Sequence, residues 1–350
     1  MLDKALEINV NGRRQLVGRK DLRHSLATVL SDGRLRVVLL SGPPGSGKHV
    51  TALAAARYLL CSEAYAKNTD LTVCENCSDC RYTASSTHPD LLDFYPTDQE
   101  KLIKTERVRA EICAEMPLSS RRGGRRIFII PADYLNETSQ NVLLKSLENI
   151  PDLTYVILTA SHSEAVLVTL RSRCTLFRMP RLTETEMREL LSIYAIEIPE
   201  LTEFRRIIGF ADGNPGRVLD ACSNDDFLPM QRETMHMLDD LGHLDYGHLI
   251  IKYGDWLATH DFHLFADLLR YEVAEIIKNR FQVNIPDNEK VQDGFSLHGD
   301  SVGRLNCSID SLKKILNYIE DTESAIAGNV NTEIAFTRLI LVLRKELINA

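Results

Sequence analysis

The residues best suited to chemistry form two groups. Cys74, Cys77 and Cys80 stand at two-residue gaps in CENCSDC, and Cys61 lies thirteen positions before them at the end of TALAAARYLLC. Two-residue gaps let successive thiolates turn onto one ion, and a fourth sulfur completes the tetrahedron that structural zinc prefers. Four thiolates leave no open position for a catalytic water, so the spacing predicts a structural zinc module near 61–80. The competing reading makes Cys61 a buried core thiol and CENC a redox pair. Cys113, Cys174, Cys222 and Cys307 are dispersed and are expected to be buried small hydrophobes.

The second group is SGPPGSGKH (41–49). Gly42, Gly45 and Gly47 allow backbone N–H groups to converge on a phosphate without a Cβ penalty. Ser46 lies within the loop, Lys48 reaches toward the outer phosphates, and a helix N-terminus adds its positive pole. An ordinary strand-to-helix turn is the bland alternative. His49 occupies the position where the motif requires Ser or Thr. That hydroxyl ligates Mg²⁺, and a neutral imidazole is a poor ligand for so hard an ion. Phosphate binding is therefore separable here from metal-assisted hydrolysis.

Hydrolysis also needs a hydrophobic strand ending in an acidic pair. The candidate, RRIFII (125–130), runs into PADYLN with no Asp-Glu behind it, and Pro131 is expected to interrupt it. Asp133 could survive as a metal ligand, but a solvent-facing residue at a helix N-terminus is the simpler expectation.

These residues need a strand before the glycine loop and a helix after it. RVVLL (36–40) and HVTALAAARYLL supply both. An α/β base extends to about residue 182, where Pro180 and TETE (183–186) mark a new helix start. A small helical lid should occupy 183–225, and 226–350 should be helical. DFHLFADLLRYEVAEIIKNRF (261–281), SIDSLKKILNYIEDTESAIA (308–327) and TEIAFTRLILVLRKELI (332–348) repeat apolar residues at three- and four-residue spacing. Residues 284–305 lack periodicity and read as a loop.

Composition excludes several classes. The 350 residues are 44% hydrophobic and 26% charged, with a formal charge of −8, which disfavours disorder and disulfide scaffolds. No window approaches the roughly 18 apolar residues of a membrane span, and a cytoplasmic protein is expected. Net acidity argues against coating duplex nucleic acid, yet residues 1–50 hold nine Lys/Arg against four acids. Arg121, Arg122, Arg125 and Arg126 in SSRRGGRR could meet DNA phosphates or simply line a solvated loop. His88, in HPD, is expected to be a turn residue rather than a fifth metal ligand.

NVLLKSLENIPDLTYVILTASHSEAVLVTLRSRC (141–174) resembles the clamp-loader branch of the AAA+ ATPases. VGRKDLRHSL (17–26), the cysteine comb after the first loop helix, HPD (88–90), GNPGRVLD (213–220) and GNVNTEIAFTRLILVLR (328–344) extend the likeness along nearly the whole chain. The resemblance implies a P-loop nucleotide fold with a parallel sheet, a helical lid and an all-α oligomerisation collar. Laid on that pattern, Ile130 and Pro131 fall where hydrolysing members carry their acidic pair. It also implies that Arg173 is an arginine finger acting in trans on ATP bound to a neighbouring subunit. Arg217 matches the second nucleotide sensor, and Thr159, Ala160, Ser161 and His162 form the first-sensor segment.

The implied function is a stator without its own ATPase activity, within the DNA polymerase III holoenzyme. It would work in a hetero-oligomeric ring with ATPase motor subunits and a delta-type wrench, loading a sliding clamp on primed DNA. Two alternatives stay open: a hydrolysing motor subunit in which Asp133 or Glu148 replaces the missing acids, and a zinc-stabilised adaptor on the same fold.

Overall fold

The computed structural model describes residues 16–64, 70–96, 101–197, 200–281 and 308–348. They fall into two compact units divided between Ser223 and Asn224. The loop expected at 284–305 and Cys307 lie outside the described residues.

The first unit is built on five parallel strands: β1 (Val37–Ser41), β2 (Leu91–Asp93), β3 (Arg126–Pro131), β4 (Thr154–Ala160) and β5 (Thr175–Arg178). Their spatial order is β2-β3-β4-β1-β5. Strands β1, β3 and β4 are buried along their whole length, as expected for a parallel sheet covered on both faces. The two-residue period of a strand sorts their side chains into separate cores. Val38, Leu40, Ile127, Ile129 and Ile157 pack on one face, while Val37, Leu39, Phe128, Ile130 and Leu158 pack on the other. Helices α1 (Lys20–Asp32) and α2 (Lys48–Leu60) contribute to the first core. Ala52, Ala55 and Ala56 are fully buried, so α2 presents little side-chain bulk between its axis and the sheet.

Pro131 does not interrupt β3. It is the last residue of that strand, in register with Thr159 of β4, and the edge of the ladder tolerates its missing N–H.

Between β1 and β3 the chain forms α3 (Ser78–Ala84) and then β2. After β3 come α4 (Glu137–Leu147), with an Asn136 cap accepting from the Ser139 amide, and the short α5 (Val168–Arg171) beyond β4. The expected helix start at TETE is found: α6 (Glu184–Ile193) opens with a capping box between Thr183 and Glu186. Helices α7 (Leu201–Ala211) and α8 (Pro215–Ser223) complete the unit.

The second unit is entirely helical among its described residues: α9 (Phe227–Asp240), α10 (Tyr246–Thr259), α11 (Phe262–Phe281), α12 (Ile309–Ala327) and α13 (Thr332–Ile348). The last three coincide with the segments read from apolar spacing. Phe265 and Phe336 meet edge to face at 6.0 Å in its core. Arg270 on α11 pairs with Glu323 on α12, and the Tyr253 hydroxyl of α10 donates to Asp240 at the end of α9 at 2.6 Å.

Candidate functional site: a phosphate loop, an arginine and a cysteine module

Strand, loop and helix follow one another as the sequence requires, because β1 ends at Ser41 and α2 begins at Lys48. The intervening loop is tied down at every carbonyl from Gly42 to Ser46. Lys48 Nζ donates to the Gly42 and Pro43 oxygens at 2.6 and 2.9 Å, and Asn214 Nδ2 donates to Pro44 O at 2.8 Å. The Gly216 amide donates to Gly45 O at 2.9 Å, and Arg19 Nη1 donates to Ser46 O at 2.7 Å. A Cβ on Gly216 would lie 2.7 Å from the Gly45 Cα, so the lid segment and the loop meet backbone to backbone, which only glycine permits.

Arg19 and Asn214 were not singled out by sequence reasoning. Both lie in segments that carry the family resemblance, VGRK and GNPG, and that placement was the available signal. Burial lowers the Arg19 guanidinium to about 10, against the pull of Glu186, and it stays charged at neutral pH. Arg217 is exposed and lies 5.4 Å over the Phe210 ring. The lid residues bonded to the loop are therefore its neighbours Asn214 and Gly216.

Where a metal-binding hydroxyl would stand, the His49 side chain is buried. Its Nε2 lies 3.2 Å from Asp93 Oδ2 at the end of β2, and its ring packs edge-on to Tyr95. At the end of β3, Ile130 and Pro131 are buried apolar groups. Asp133 is exposed, as expected, but it sits in a short 3₁₀ turn, Ala132–Tyr134, rather than at the start of an α-helix. Its carboxylate accepts the Ser161 amide at 2.8 and 2.9 Å and the Ser161 hydroxyl at 2.8 Å. This joins the segment after β3 to the first-sensor segment after β4, and it identifies Ser161 as the polar partner within that segment.

Arg173 follows α5. Its Nη2 donates to Glu148 Oε1 at 2.8 Å and its Nη1 to Thr169 O at 3.2 Å, with the side chain 41% exposed. Cys174 behind it is half-buried, its Sγ donating to Leu170 O, and burial pushes the thiol up to about 12. Cys113 and Cys222 are likewise half-buried rather than fully enclosed.

The four cysteines converge. Cys61 caps α2, Cys77 caps α3 and Cys80 lies within α3. All four sulfurs lie within 4.8 Å of one another, with Cys61–Cys74 at 3.6 Å and Cys74–Cys80 at 3.9 Å. Those separations exclude a disulfide, whose sulfurs sit about 2 Å apart. They match the roughly 3.8 Å edge of a tetrahedron with metal–sulfur bonds of about 2.3 Å. Backbone amides of Cys74, Cys77 and Cys80 donate to Cys61, Cys74 and Cys77 sulfurs, the pattern that stabilises thiolates. Cys80 is pushed up by burial and by its Cys77 and Cys61 neighbours. Adjacent sulfurs thus resist ionising together without a cation. The module is close enough and chemically suited to bind one metal ion.

The arginine-rich loop is not uniformly solvated. Arg126 is buried, its guanidinium paired with Glu115 and donating to Glu115 O, and Arg122 Nε donates to Asp79 Oδ1 at 2.7 Å. His88 is a buried clasp as well as a turn residue: its Nε2 lies 3.3 Å from Asp79 Oδ1, and its Nδ1 accepts the Asp90 amide. Burial pushes the His88 imidazole below its usual range.

A family model described as DNA polymerase III, delta subunit, matches residues 18–183. DNA polymerase III subunit delta' of Bacillus subtilis is 24% identical over 88% of this chain and 90% of its own length. The chain is a relative of the delta-prime subunits of bacterial DNA polymerase III. Among those subunits, that of Pseudomonas aeruginosa is 34% identical over 39% of this chain, and that of Escherichia coli 30% over 45%. Those matches span 40% and 46% of the two relatives, less than half of each. A solved Thermotoga maritima protein related to the DNA polymerase III gamma subunit aligns with a TM-score of 0.49 at 11% identity, covering 93% of this chain and 99% of that one. No helix among the described residues is long and apolar enough to cross a membrane.

Proposed function

We propose that this delta-prime relative is a cytoplasmic, non-hydrolysing stator of a clamp loader, supplying Arg173 to ATP held by a neighbouring motor subunit. The observation that carries the reading is the contrast between its own site and Arg173. His49 is committed to Asp93 and the strand-end acids are replaced by buried Ile130 and Pro131, while a permanently charged guanidinium stays half-exposed. A planar fork of N–H donors matches phosphate oxygens, and its charge offsets what develops on them as the γ-phosphoryl leaves. The motor alternative loses its substitute acids, since Asp133 is bonded to Ser161 and Glu148 to Arg173.

The partners in this reading are motor subunits and a delta-type wrench in a ring that places a sliding clamp on primed DNA. The cysteine module would hold a structural zinc ion through Cys61, Cys74, Cys77 and Cys80, which cross-links the end of α2 to α3. The phosphate loop, with Gly42, Gly45, Gly47 and Lys48, keeps the means to bind phosphate without the means to activate water.

Phosphate release with Mg²⁺ tests the reading. The isolated chain should turn over no ATP above a Lys48→Ala control, whereas adding it to motor and wrench subunits should raise DNA-stimulated turnover and clamp loading. Turnover by the isolated chain that depends on Lys48 would sink the stator reading.

Glu148 should matter through Arg173. An arginine side chain carries about 2 kcal/mol of rotamer entropy, and the Glu148 contact removes part of it before phosphate arrives. Glu148→Gln should lower kcat of the assembly about three- to tenfold with KM for ATP unchanged, and should add nothing to Arg173→Ala. The chain's melting temperature should stay put, because so exposed a pair contributes little to stability.

A further inference from the structure

The loop at 119–125 and the cysteine module are joined by contacts that the stator reading does not use. Asp90, fully buried just before β2, accepts the Ser120 hydroxyl at 2.9 Å and the Arg121 and Arg122 amides at 2.7 and 3.0 Å. That anchor belongs to the sheet. A second anchor belongs to α3, where Arg122 Nη2 donates to Ser78 Oγ at 2.9 Å, its Nε donates to Asp79, and its guanidinium lies 4.8 Å over the Tyr82 ring. Arg125 Nη1 donates to Leu59 O, two residues before Cys61. At the loop's tip nothing lies within 4 Å of a Cβ built on Gly123 or Gly124, and the Gly124 amide donates to Ser120 Oγ at 3.1 Å.

Helix α3 has seven residues, well short of the roughly 12–15 that an isolated helix needs to persist in water. It is bordered by the sulfur cluster, through Cys77 and Cys80, on one side and by the Arg122 and His88 contacts on the other.

We propose that Arg122 is the link by which metal occupancy of the four-cysteine module sets the conformation of the arginine-rich loop 119–125. With the ion in place, α3 presents Ser78, Asp79 and Tyr82 as one rigid ledge, and the Arg122 guanidinium is held along it. Without the ion, α3 frays, Arg122 loses all three partners, and the loop swings on its remaining Asp90 anchor. The module thereby decides whether one guanidinium of this loop is held by the protein or released to an anionic partner. The inference rests on the zinc assignment made above.

Limited trypsinolysis of the full chain, with cleavage after Arg122 followed by mass spectrometry and zinc content measured in parallel, tests it. Zinc chelation under reducing conditions should accelerate that cleavage about tenfold, while the Arg121 and Arg122 amides, bonded to Asp90, keep slow hydrogen exchange. Asp79→Asn should reproduce the acceleration with zinc retained, and Arg122→Gln should abolish the zinc dependence at cleavage after Arg121. Zinc present but cleavage indifferent to chelation would overturn the link and leave the metal assignment standing. Acceleration spread evenly over all sites, with the Asp90-bonded amides exchanging too, would overturn it in favour of general unfolding. A chain that neither carries nor takes up zinc would remove both.

Discussion

Arg173→Ala should slow hydrolysis at the neighbouring nucleotide site by on the order of 10³-fold in a reconstituted assembly, the lower end of the range known for arginine fingers. The expectation follows from geometry and charge. The side chain is 41% exposed and held at Glu148 and Thr169. Loss of about 4 kcal/mol of transition-state stabilisation corresponds to that factor. Arg173→Lys should recover only part of the rate, since an ammonium keeps the charge but not the planar fork. Phosphate release is best read with the other motor sites disabled, because turnover there would mask the loss. Unchanged hydrolysis and clamp loading in Arg173→Ala would refute the finger assignment. A loss in Arg173→Ala without any change in Glu148→Gln would refute only the positioning role of Glu148.

Cys80→Ser should release the metal and lower the melting temperature of the first unit by roughly 10 °C. An ion present at about a thousand times its dissociation constant stabilises the folded state by about 4 kcal/mol. For a unit of some two hundred residues, each kcal/mol moves the midpoint by about 2–4 °C. Cys80 is the severe choice because it is almost fully buried and its Sγ faces Cys74 at 3.9 Å. Chelator should shift the wild-type midpoint and leave that of Cys80→Ser unchanged. Equal midpoints in the two proteins, or wild type purified under reducing conditions without zinc, would dismiss the metal.

Local features of both sites were legible in the sequence because they depend on neighbours in the chain. Gly42, Gly45, Gly47 and Lys48 sit on a strand-loop-helix that hydrophobic spacing reveals, and the cysteine gaps set their own geometry. The fold class followed from the same elements and from the resemblance. What escaped were side chains acting over long separations. Arg19 reaches Pro180 across 161 positions, Asn214 reaches Pro44 across 170, and Arg122 reaches Asp79 across 43. Nothing in the local pattern of an arginine says whether it faces water or a distant carbonyl. Arg126 shows this most clearly: it closes a run that looks solvated and is itself buried against Glu115. Pro131 was misjudged for the converse reason, since an end-strand position excuses the N–H it lacks.

Helix α2 starts at Lys48 and is capped by Cys61, so the phosphate loop and the cysteine module are the two ends of one strut. Thirteen residues at 1.5 Å rise make it about 20 Å long. Bracing one end fixes the other, as a beam bolted at its far end cannot pivot at the near one. The loop has mechanical work in such a frame whatever it does with phosphate, because its bonded carbonyls tie the near end of that strut to Arg19 and to the Asn214–Gly216 segment.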